Sequence, residues 1–481
     1  MNIKIVSNLI GRLLIVEAIL MLLSVIVGLI YKESFLTIGA FLIASIITFA
    51  SGLIMNIPKP KDKRFYIKEG MLVISLAWFL MSFFGGLPLL FSKSYPSLVD
   101  SFFEVASGFT TTGASVATDV ESFSHSILFW RSFTHLVGGM GVLVFTLAIS
   151  PFKSNDDIHL MKAEVPGPVF GKIASKLVDT ARLLYKIYLA MTFILILILW
   201  ACKMPFFDSM LHAFGTAGTG GFGIKSSSIA YYKSPLIEYV ISVAMILFGI
   251  NFNLYYLILM GKVKHFFKDE ELRWYLGILF VAVAMITINT LNQLDFSTAF
   301  RDALFTVSSL MTTTGYATVD YDMWPTFSKV ILLILMFVGA SAGSTAGGIK
   351  VSRIATMIKS GLAEIKRTKN PDLVVHVKFN KDLVDQKRIR ALGNYLFLYF
   401  SFFVVILLIV AVDAPNFESA FSAVAATFNN IGPGMDLVGP TQSYAGLSNI
   451  SKIALSFGMI AGRLEILPVL VLLSPSTWRK K

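Results

Sequence analysis

Cysteine, histidine and charge are all scarce in this chain, and each scarcity excludes a class of protein or site. Cys202 is the only cysteine among 481 residues, so neither a disulfide within the chain nor a cysteine-based metal site is possible. Six scattered histidines show no ligand spacing such as H-E-x-x-H. Charged residues make up 15% of the chain, against roughly 25% in soluble domains, so a soluble protein is not expected.

Apolar residues are abundant instead, at 55% of the chain, and they fall in runs long enough for a helix to cross a bilayer of about 30 Å. Helical runs rather than alternating ten-residue strands exclude an outer-membrane barrel. The sequence therefore predicts an all-α polytopic membrane protein. Ten candidate spans lie at 9–30, 35–55, 70–91, 124–149, 183–202, 235–260, 275–292, 327–360 (interrupted), 391–413 and 448–473.

Lysine and arginine concentrate in every second loop between these spans. The loops 56–69, 151–182, 262–273 and 361–390 are basic, whereas the intervening loops hold few basic residues and several acids. By the positive-inside rule, both termini are expected in the cytoplasm. The net charge of +12 has the same explanation, so no nucleic acid partner is predicted, and membrane lipid is the expected surrounding.

Four insertions, placed after spans 3, 5, 7 and 9, share one pattern. Each begins with an acid, continues for about ten apolar residues, too few to cross a membrane, and ends in a polar turn that contains glycine. Acid and aligned glycine are 13 positions apart in three copies and 14 in the fourth. The copies read DSFFEVASGFTTTGAS from Asp100, DSMLHAFGTAGTGGFG from Asp208, DALFTVSSLMTTTGYA from Asp302 and ESAFSAVAATFNNIGPG from Glu418.

This pattern predicts a short helix that begins at the acid and returns as non-helical chain, which membranes tolerate only where it is buried or lines a cavity. Ordinary outer loops with turn glycines are the alternative, but four matching copies argue against it. Four such segments around an axis would form rings of carbonyl oxygens that replace the hydration shell of a cation. The candidate ion-binding residues are Thr111, Thr112, Gly113, Thr219, Gly220, Gly221, Thr313, Thr314, Gly315, Asn430, Ile431 and Gly432.

The expected architecture is four pseudo-symmetric repeats of span, pore loop and span around one central pore, preceded by two extra N-terminal spans. The predicted units are 1–56 for the extra spans, 69–150, 183–262 and 274–361 for the first three pore repeats, and 391–474 for the fourth. The third unit would include an intramembrane gating loop.

These four pore loops, together with FWRSFTHLVGGMGV (129–142), AEVPGP (163–168), GASAGSTAGGIK (339–350), NNIGPG (429–434) and GRLEILPVL (462–470), resemble the Trk/Ktr/HKT superfamily of cation transporters. The two extra N-terminal spans make the chain similar to the bacterial TrkH branch. The resemblance implies potassium uptake across a bacterial inner membrane, a homodimer of pore subunits and a cytosolic TrkA-like ring of nucleotide-binding regulatory subunits. It also implies selectivity for K⁺ over Na⁺, because some sodium-permeable plant members carry serine where this chain has Gly113.

A gate is predicted in span 8, where Gly339, Gly343, Gly347 and Gly348 precede Lys350, because each interior glycine costs a helix about 1 kcal/mol. Close packing of helices through small residues is the alternative. Arg463 in span 10 is expected to face the pore beneath the filter, since an intramembrane charge usually faces a cavity or a partner. A structural ion pair is the alternative, and Glu465 is a poor candidate for it.

Arg131 and His135, four residues apart on span 4, are interpreted as structural residues near the outer part of the first repeat.

The predicted function is a gated, potassium-selective pore that carries K⁺ as its transported ion and holds no organic cofactor. A proton- or sodium-coupled potassium symporter is the alternative, disfavoured because no acid is expected within the pore. A carrier for organic solutes would usually show inverted repeats. An enzyme is not expected, because the chain has no phosphate loop, no cluster of catalytic carboxylates and no soluble domain.

Overall fold

The computed structural model describes residues 2–58, 66–141 and 177–478. Within these ranges the protein is α-helical apart from turns, short 3₁₀ segments and one small β-hairpin, as the sequence predicts. The helices are α1 (Ile3–Ile30), α2 (Phe35–Asn56), α3 (Ile67–Phe91), α4 (Leu98–Phe109), α5 (His125–Gly139), α6 (Leu177–Ala201), α7 (Phe206–Gly218), α8 (Pro235–Phe248), α9 (Phe252–Leu259), α10 (Val263–Lys268), α11 (Glu270–Thr290), α12 (Phe296–Met311), α13 (Thr326–Phe337), α14 (Val351–Lys369), α15 (Gln386–Val410), α16 (Phe417–Phe428), α17 (Asn449–Arg463), α18 (Leu467–Leu473) and α19 (Pro475–Trp478). The hairpin pairs β1 (Lys378–Phe379) with β2 (Asp382–Leu383).

Helices α1 and α2 form a closely packed pair at the N-terminus. A Cβ atom built on Gly11 would lie 2.6 Å from the carbonyl oxygen of Gly52, and one on Gly52 would lie 2.7 Å from that of Gly11. The two backbones therefore touch where both helices carry glycine, which is a common way for membrane helices to associate. Among the described residues, α1 and α2 precede the four pore repeats that carry the candidate ion-binding residues.

Six helices in the described ranges are each long and apolar enough to cross a membrane, namely α1, α2, α3, α6 (as Ala181–Ala201), α11 and α15. Counting α8 with α9 as one bent span gives up to seven. The prediction of ten spans is thus met by unbroken helices at six positions. Of the other four, 124–149 is described only to residue 141, and 235–260, 327–360 and 448–473 are interrupted.

The interruptions of 235–260 and 448–473 are departures from the predicted continuous helices. Helices α8 and α9 meet at an angle of 90° after Gly249, and α17 is separated from α18 at Glu465 and Ile466, which have φ values of +56° and +68°. Sequence hydropathy marks length but not direction, so an apolar run that bends is easily taken for one straight span. The break that glycine content predicts in 327–360 is present, since residues 338–350 are non-helical.

Four short helices, α4, α7, α12 and α16, run into the four predicted ion-binding segments. Serine and asparagine caps begin two of them, because Ser97 and Asn416 accept hydrogen bonds from the first-turn N–H groups of Asp100 and Ser419. The aligned acid lies in the first turn of α4, α7 and α16, as predicted. The third copy is different, because α12 begins at Phe296 with Asp295 as its cap, so Asp302 lies in the second turn.

Candidate functional site

The predicted ion-binding residues form four segments, 111–113, 219–221, 313–315 and 430–432, which are called filter segments below. They meet in a closed ring, in which each aligned glycine lies against the backbone of the next segment. A Cβ atom on Gly113 would lie 2.0 Å from the carbonyl oxygen of Gly220, and one on Gly221 would lie 1.9 Å from that of Thr314. One on Gly315 would lie 1.9 Å from the oxygen of Ile431. The ring closes where Gly432 faces Thr112, at 2.7 Å. Real Cβ atoms essentially never approach so closely, so the ring requires glycine.

The backbone of all four segments follows the same unusual course. The ring glycines have φ values of +81°, +74°, +86° and +102° in chain order. Two positions earlier, Thr111, Thr219 and Thr313 have a φ of +55° and Asn430 one of +58°. L-residues with side chains rarely adopt this conformation, and it is held here four times at equivalent positions. Left-handed residues that alternate with residues of negative φ gather N–H groups on one side of the chain.

Hydrogen bonds fix the direction of the residue between these two positions. The N–H groups of Thr112, Gly220, Thr314 and Ile431 donate to carbonyls of Ser107, Gly215, Ser309 and Ala426, each at 2.8 Å. In each segment this N–H therefore points back into the preceding short helix. The carbonyl oxygens of the same four residues are those that face the neighbouring glycines. The segments thus present backbone oxygen, and not N–H groups, to the ring.

Polar side chains beneath the ring are buried and bonded to one another. The hydroxyl groups of Thr110 and Thr112 lie 2.7 Å apart, and those of Thr312 and Thr314 do the same. The amide nitrogen of Asn430 donates to the hydroxyl of Thr112 at 2.9 Å and to the carbonyl of Met459 at 3.0 Å. Side chains therefore join the fourth segment to the first and brace both.

A cavity of about 360 Å³ lies on one side of the ring. Its lining includes all four ring glycines and residues of the loops that follow them, among them Arg131, Gln442 and Tyr444. Most of this lining is small or polar, so an ion could reach the ring through water. Gly113 and Gly315 remain partly accessible, whereas the residues just before them are fully buried.

Arg131 and His135 lie behind the first two filter segments. Arg131 forms a buried ion pair of 2.8 Å with Glu104 and donates to the carbonyl of Gly223 at 3.3 Å. The ring nitrogen Nε2 of His135 lies 3.3 Å from the N–H of Phe222 and accepts its hydrogen bond. Both residues thus support the second segment as well as the first. Glu104 was not predicted from the sequence, because a single acid inside an apolar helix gives no spacing signal.

The four aligned acids each have a partner away from the ring. Asp100 pairs with Lys452 at 2.7 Å, and Glu418 with Lys329 at 3.1 Å. Asp208 accepts a hydrogen bond of 2.8 Å from Tyr232, and Asp302 lies 3.5 Å from Arg301. Asp100, Asp208 and Glu418 thus hold their short helices to other elements, whereas Asp302 lies beside its chain neighbour Arg301, which pairs with Glu238 on α8 at 2.8 Å.

Residues 338–350 fold into a compact loop below the filter. Val338 and Ile349 pair as an isolated bridge, and the N–H of Gly339 donates to the carbonyl of Ile349 at 2.9 Å. At the tip, the N–H of Gly347 donates to the hydroxyl of Thr313 at 2.7 Å, and a Cβ on Gly347 would lie 2.5 Å from the carbonyl of Asn429. The loop therefore touches the third and fourth filter segments directly.

The other predicted gate residues also belong to this loop or contact it. Gly343 and Gly348 have φ values of +74° and +66°, which a side chain would disfavour. Lys350 is buried, and its ammonium group donates to the carbonyls of Ala346 and Gly347. All four glycines and Lys350 thus shape one structure, whereas the alternative of helix packing through small residues does not describe this non-helical segment.

Arg463 reaches the same loop from the end of α17. Its guanidinium donates to the carbonyl of Thr345 at 2.7 Å, and to those of Gly138 and Gly139 at 2.8 and 2.9 Å. Helix α17 ends at Arg463 itself, so this charge lies at a helix end and not within the continuous span predicted at 448–473. Glu465 pairs with Arg353 instead.

Glu271 is a further residue at the loop that sequence analysis did not identify. One oxygen of its buried carboxylate accepts hydrogen bonds from the N–H groups of Ala342 at 2.8 Å and Ser352 at 3.0 Å. The contacts join residues 71 and 81 positions apart, so no local pattern could have revealed them. The adjacent Glu270 contacts Lys359 on α14 and accepts from the N–H of Asn380, in the turn of the β-hairpin, at 2.9 Å.

Comparison with known proteins connects this geometry to one family. The family model for TrkH, described as a cation transport protein, matches residues 37–480. Among curated proteins, the chain is 34% identical to the Trk system potassium uptake protein TrkH of Salmonella typhimurium and 33% identical to TrkG of Escherichia coli K12. The alignments cover 100% of both chains for the first and 99% of both for the second.

A solved structure has the same fold. The crystal structure of the potassium transporter TrkH from Vibrio parahaemolyticus superimposes with a TM-score of 0.90 at 30% sequence identity. The match covers 100% of each chain. Similarity on this scale extends from the N-terminal helices through the filter segments to the C-terminal helices.

Proposed function

The chain belongs to the TrkH family of cation transport proteins, a family of transporters rather than enzymes, and from this premise we propose that it is the potassium-selective pore subunit of a bacterial Trk-type potassium uptake system. The observation that carries the proposal is the ring of backbone oxygens at Thr112, Gly220, Thr314 and Ile431. Carbonyl rings of this kind replace the water around a potassium ion. The relatives that share the whole length of the chain are named as potassium uptake proteins.

We propose that K⁺ binds to the twelve filter residues through backbone oxygens, helped by the dipoles of the short helices. Helices α4, α7, α12 and α16 each end within three residues of the ring carbonyl in the same segment, so their partly negative carboxyl ends are directed at the filter. No carboxylate is needed for binding, because the aligned acids are engaged elsewhere. Such a site compensates the charge of a monovalent cation without holding it too tightly for conduction.

Residues 338–350 are proposed to be the gate. The loop touches the filter through Gly347 and is held by Lys350 and Arg463, and the Arg463 guanidinium also adds a positive charge beneath the ion path. A buried charge of this sign raises the energy of a passing cation. Conduction then requires the loop and the Arg463 guanidinium to move apart, and the 361–390 segment, which includes the end of α14, offers a cytosolic partner access to the loop.

The proposed assembly is a homodimer in the bacterial inner membrane, with both termini in the cytoplasm and a TrkA-like regulatory ring on the cytosolic side. The basic loops 262–273 and 361–390 support this orientation by the positive-inside rule. The names of the relatives place them in a Trk system, which supports the expectation of further components.

A proton-coupled potassium symporter is the second candidate, and Glu271 is the observation that favours it. Coupled carriers commonly place a titratable acid on the ion path, and this buried carboxylate contacts the gating loop. Potassium uptake would then depend on a proton gradient and on an ionisable side chain at residue 271. A passive pore needs neither, since a membrane potential supplies about 2.3 kcal/mol per charge per 100 mV.

Uptake in bacterial cells that lack their own potassium uptake systems tests the proposal. Cells that express the chain with a Trk-type regulatory partner are expected to grow at low potassium and to take up rubidium-86, and added potassium should compete with the rubidium. Cells that express Gly221→Ala should do neither at equal protein level, because the new methyl group would collide with Thr314. Gly393→Ala is the matched control, since nothing lies within 4 Å of its Cβ. Equal growth of all three strains would contradict the proposal.

A further inference from the structure

Tyr444 holds the carbonyl of one ring glycine, one residue after the Ile431 member of the carbonyl ring, in a way that has no counterpart in the other three filter segments that the structure describes. Its hydroxyl donates to the carbonyl oxygen of Gly432, the ring glycine of the fourth segment, at 2.7 Å. The side chain is 2% exposed, so water does not compete for this bond. Within the described residues, no side chain donates to the carbonyls of Gly113, Gly221 or Gly315.

The ring is also uneven at this position. Cβ atoms built on the other three ring glycines would lie 1.9 to 2.0 Å from the facing carbonyl, whereas one on Gly432 would lie 2.7 Å from that of Thr112. The φ of Gly432 is +102°, compared with +74° to +86° for the others. The fourth filter segment therefore lies further from the first, at the contact between the fourth and first pore repeats.

Tyr444, in the fourth pore repeat, is anchored to residues of the first pore repeat. Its N–H donates to the carbonyl of Ser115 at 2.9 Å, and its ring lies 5.5 Å from that of Phe103 on α4. The hydroxyl of Ser115 in turn donates to Glu104 at 2.9 Å and accepts from Arg131 at 3.2 Å. A hydrogen-bond network of the first pore repeat thus fixes Tyr444, and Tyr444 in turn fixes the carbonyl of Gly432 in the fourth filter segment.

We propose that Tyr444 is a positioning residue for ion selectivity, which fixes the Gly432 carbonyl, and with it the adjacent Ile431 carbonyl of the ring, so that the ring keeps the size that suits potassium. The inference rests on the proposed function of the ring. A smaller ion such as sodium is bound well only if the carbonyls move inward, and a carbonyl held by a buried hydroxyl cannot follow without losing that hydrogen bond. The remaining three segments pack more tightly and need no such restraint.

Tyr444→Phe removes the hydroxyl and keeps the contact between the aromatic ring at residue 444 and that of Phe103. Tyr275→Phe is the matched control, because the hydroxyl of this buried side chain also donates to a backbone carbonyl, that of Ile246 at 3.1 Å, and belongs to no filter segment. Purified proteins are compared in liposomes by the ratio of sodium to potassium permeability, together with the absolute rubidium flux. Tyr444→Phe is expected to raise the ratio by about tenfold, equivalent to roughly 1.4 kcal/mol, while the control keeps the wild-type ratio.

A merely structural role would lower both fluxes and leave the permeability ratio unchanged, and that result would overturn the inference. If Tyr444→Phe does not fold, 4-fluorophenylalanine at residue 444 provides a second variant, because fluorine fills space near that of the hydroxyl but cannot donate. It should raise the ratio in the same way, and an unchanged ratio would again overturn the inference. Failure of the proposed function is distinguishable, since the wild-type protein itself would then show no preference for potassium.

Discussion

The Arg463 guanidinium lies 2.7 Å from the carbonyl oxygen of Thr345, so the end of α17 is bonded to the middle of the loop below the filter. The same guanidinium donates to Gly138 and Gly139 at the end of α5. One side chain therefore ties three parts of the chain together beneath the ring. Because these bonds are made to backbone oxygens, the arrangement depends on the charge and reach of arginine and not on the side chains that it contacts.

Replacement of this residue should open the pore. Arg463→Gln is expected to raise potential-driven rubidium flux about tenfold, because it removes a positive charge and up to three hydrogen bonds from the loop. The double variant Arg353→Gln, Glu465→Gln is the matched control, since it removes a neighbouring ion pair without leaving a lone charge. Flux measurements on purified proteins in liposomes decide the matter. Unchanged or lower flux in Arg463→Gln would contradict a gating role.

Loss of the Glu271 carboxylate should also loosen the loop. Glu271→Ala leaves the N–H groups of Ala342 and Ser352 without their acceptor, at a cost of about 1–3 kcal/mol for each buried donor, so we expect a higher resting flux. Glu271→Gln keeps an acceptor oxygen and should retain a flux close to wild type. Loss of gradient-dependent uptake in Glu271→Gln would favour the proton-coupled alternative instead.

The first ring glycine should be essential for selectivity. Gly113→Ser introduces a Cβ atom 2.0 Å from the carbonyl of Gly220 at a φ of +81°, so the ring must distort. We expect the preference for potassium over sodium to fall about tenfold or more, measured by competition against rubidium uptake. Gly277→Ser, whose Cβ meets nothing within 4 Å, should behave as wild type. If Gly113→Ser kept the wild-type preference for potassium, the glycine ring would not line the ion path.

Asp322, in the outer loop before α13, should make stability depend on pH. Burial raises the pKa of its carboxyl from the ordinary 3.8 to about 6, against the lowering effect of the hydrogen bond from the N–H of Asp436. The folded state thus binds the proton more tightly than the unfolded state. The free energy of unfolding should therefore fall as the pH rises from about 4 to 6 and stay low above that range.

Asp322→Asn removes this titration and can still accept the Asp436 hydrogen bond. At pH 7.5 the variant is expected to be more stable by about 1 kcal/mol, after allowance for solvent screening of a half-exposed group. Thermal unfolding in detergent at pH 4.5 and 7.5 measures the difference. Asp295→Asn serves as a control in a nearby outer loop, because hydrogen bonds from Thr298 lower the pKa of Asp295 rather than raise it. Equal pH dependence of wild type and Asp322→Asn would refute the prediction.

Periodic and repeated features of this protein could be predicted from the sequence. Apolar length predicts the spans, and the fourfold recurrence of an acid, an apolar run and a glycine predicts segments that the structure brings together in one ring. Glycine content likewise predicts the break at 338–350. Each of these signals is local or repeats at a fixed spacing, so it is legible without knowledge of long-range contacts.

Contacts between distant residues could not be predicted in this way. Glu271, Glu104 and Tyr444 act through partners on other helices or loops, and each is a single residue without a repeated neighbour. At the 90° bend after Gly249, the N–H of Phe252 donates to the carbonyl of Gly343 in the loop, a contact far along the chain. Asp302 shows the same limit, because the cap at Asp295 starts its helix earlier than the aligned acid suggests.

The most direct test of the account is rubidium-86 uptake by liposomes that hold the purified protein, with a membrane potential negative inside and no proton or sodium gradient. Uptake is expected to follow the potential and to be competed away by potassium but not by sodium, with the regulatory partner added if the protein alone is closed. Arg463→Gln should show the same preference at a higher rate. Absence of rubidium flux from wild type with its partner and from Arg463→Gln would contradict the claim that the glycine ring conducts potassium.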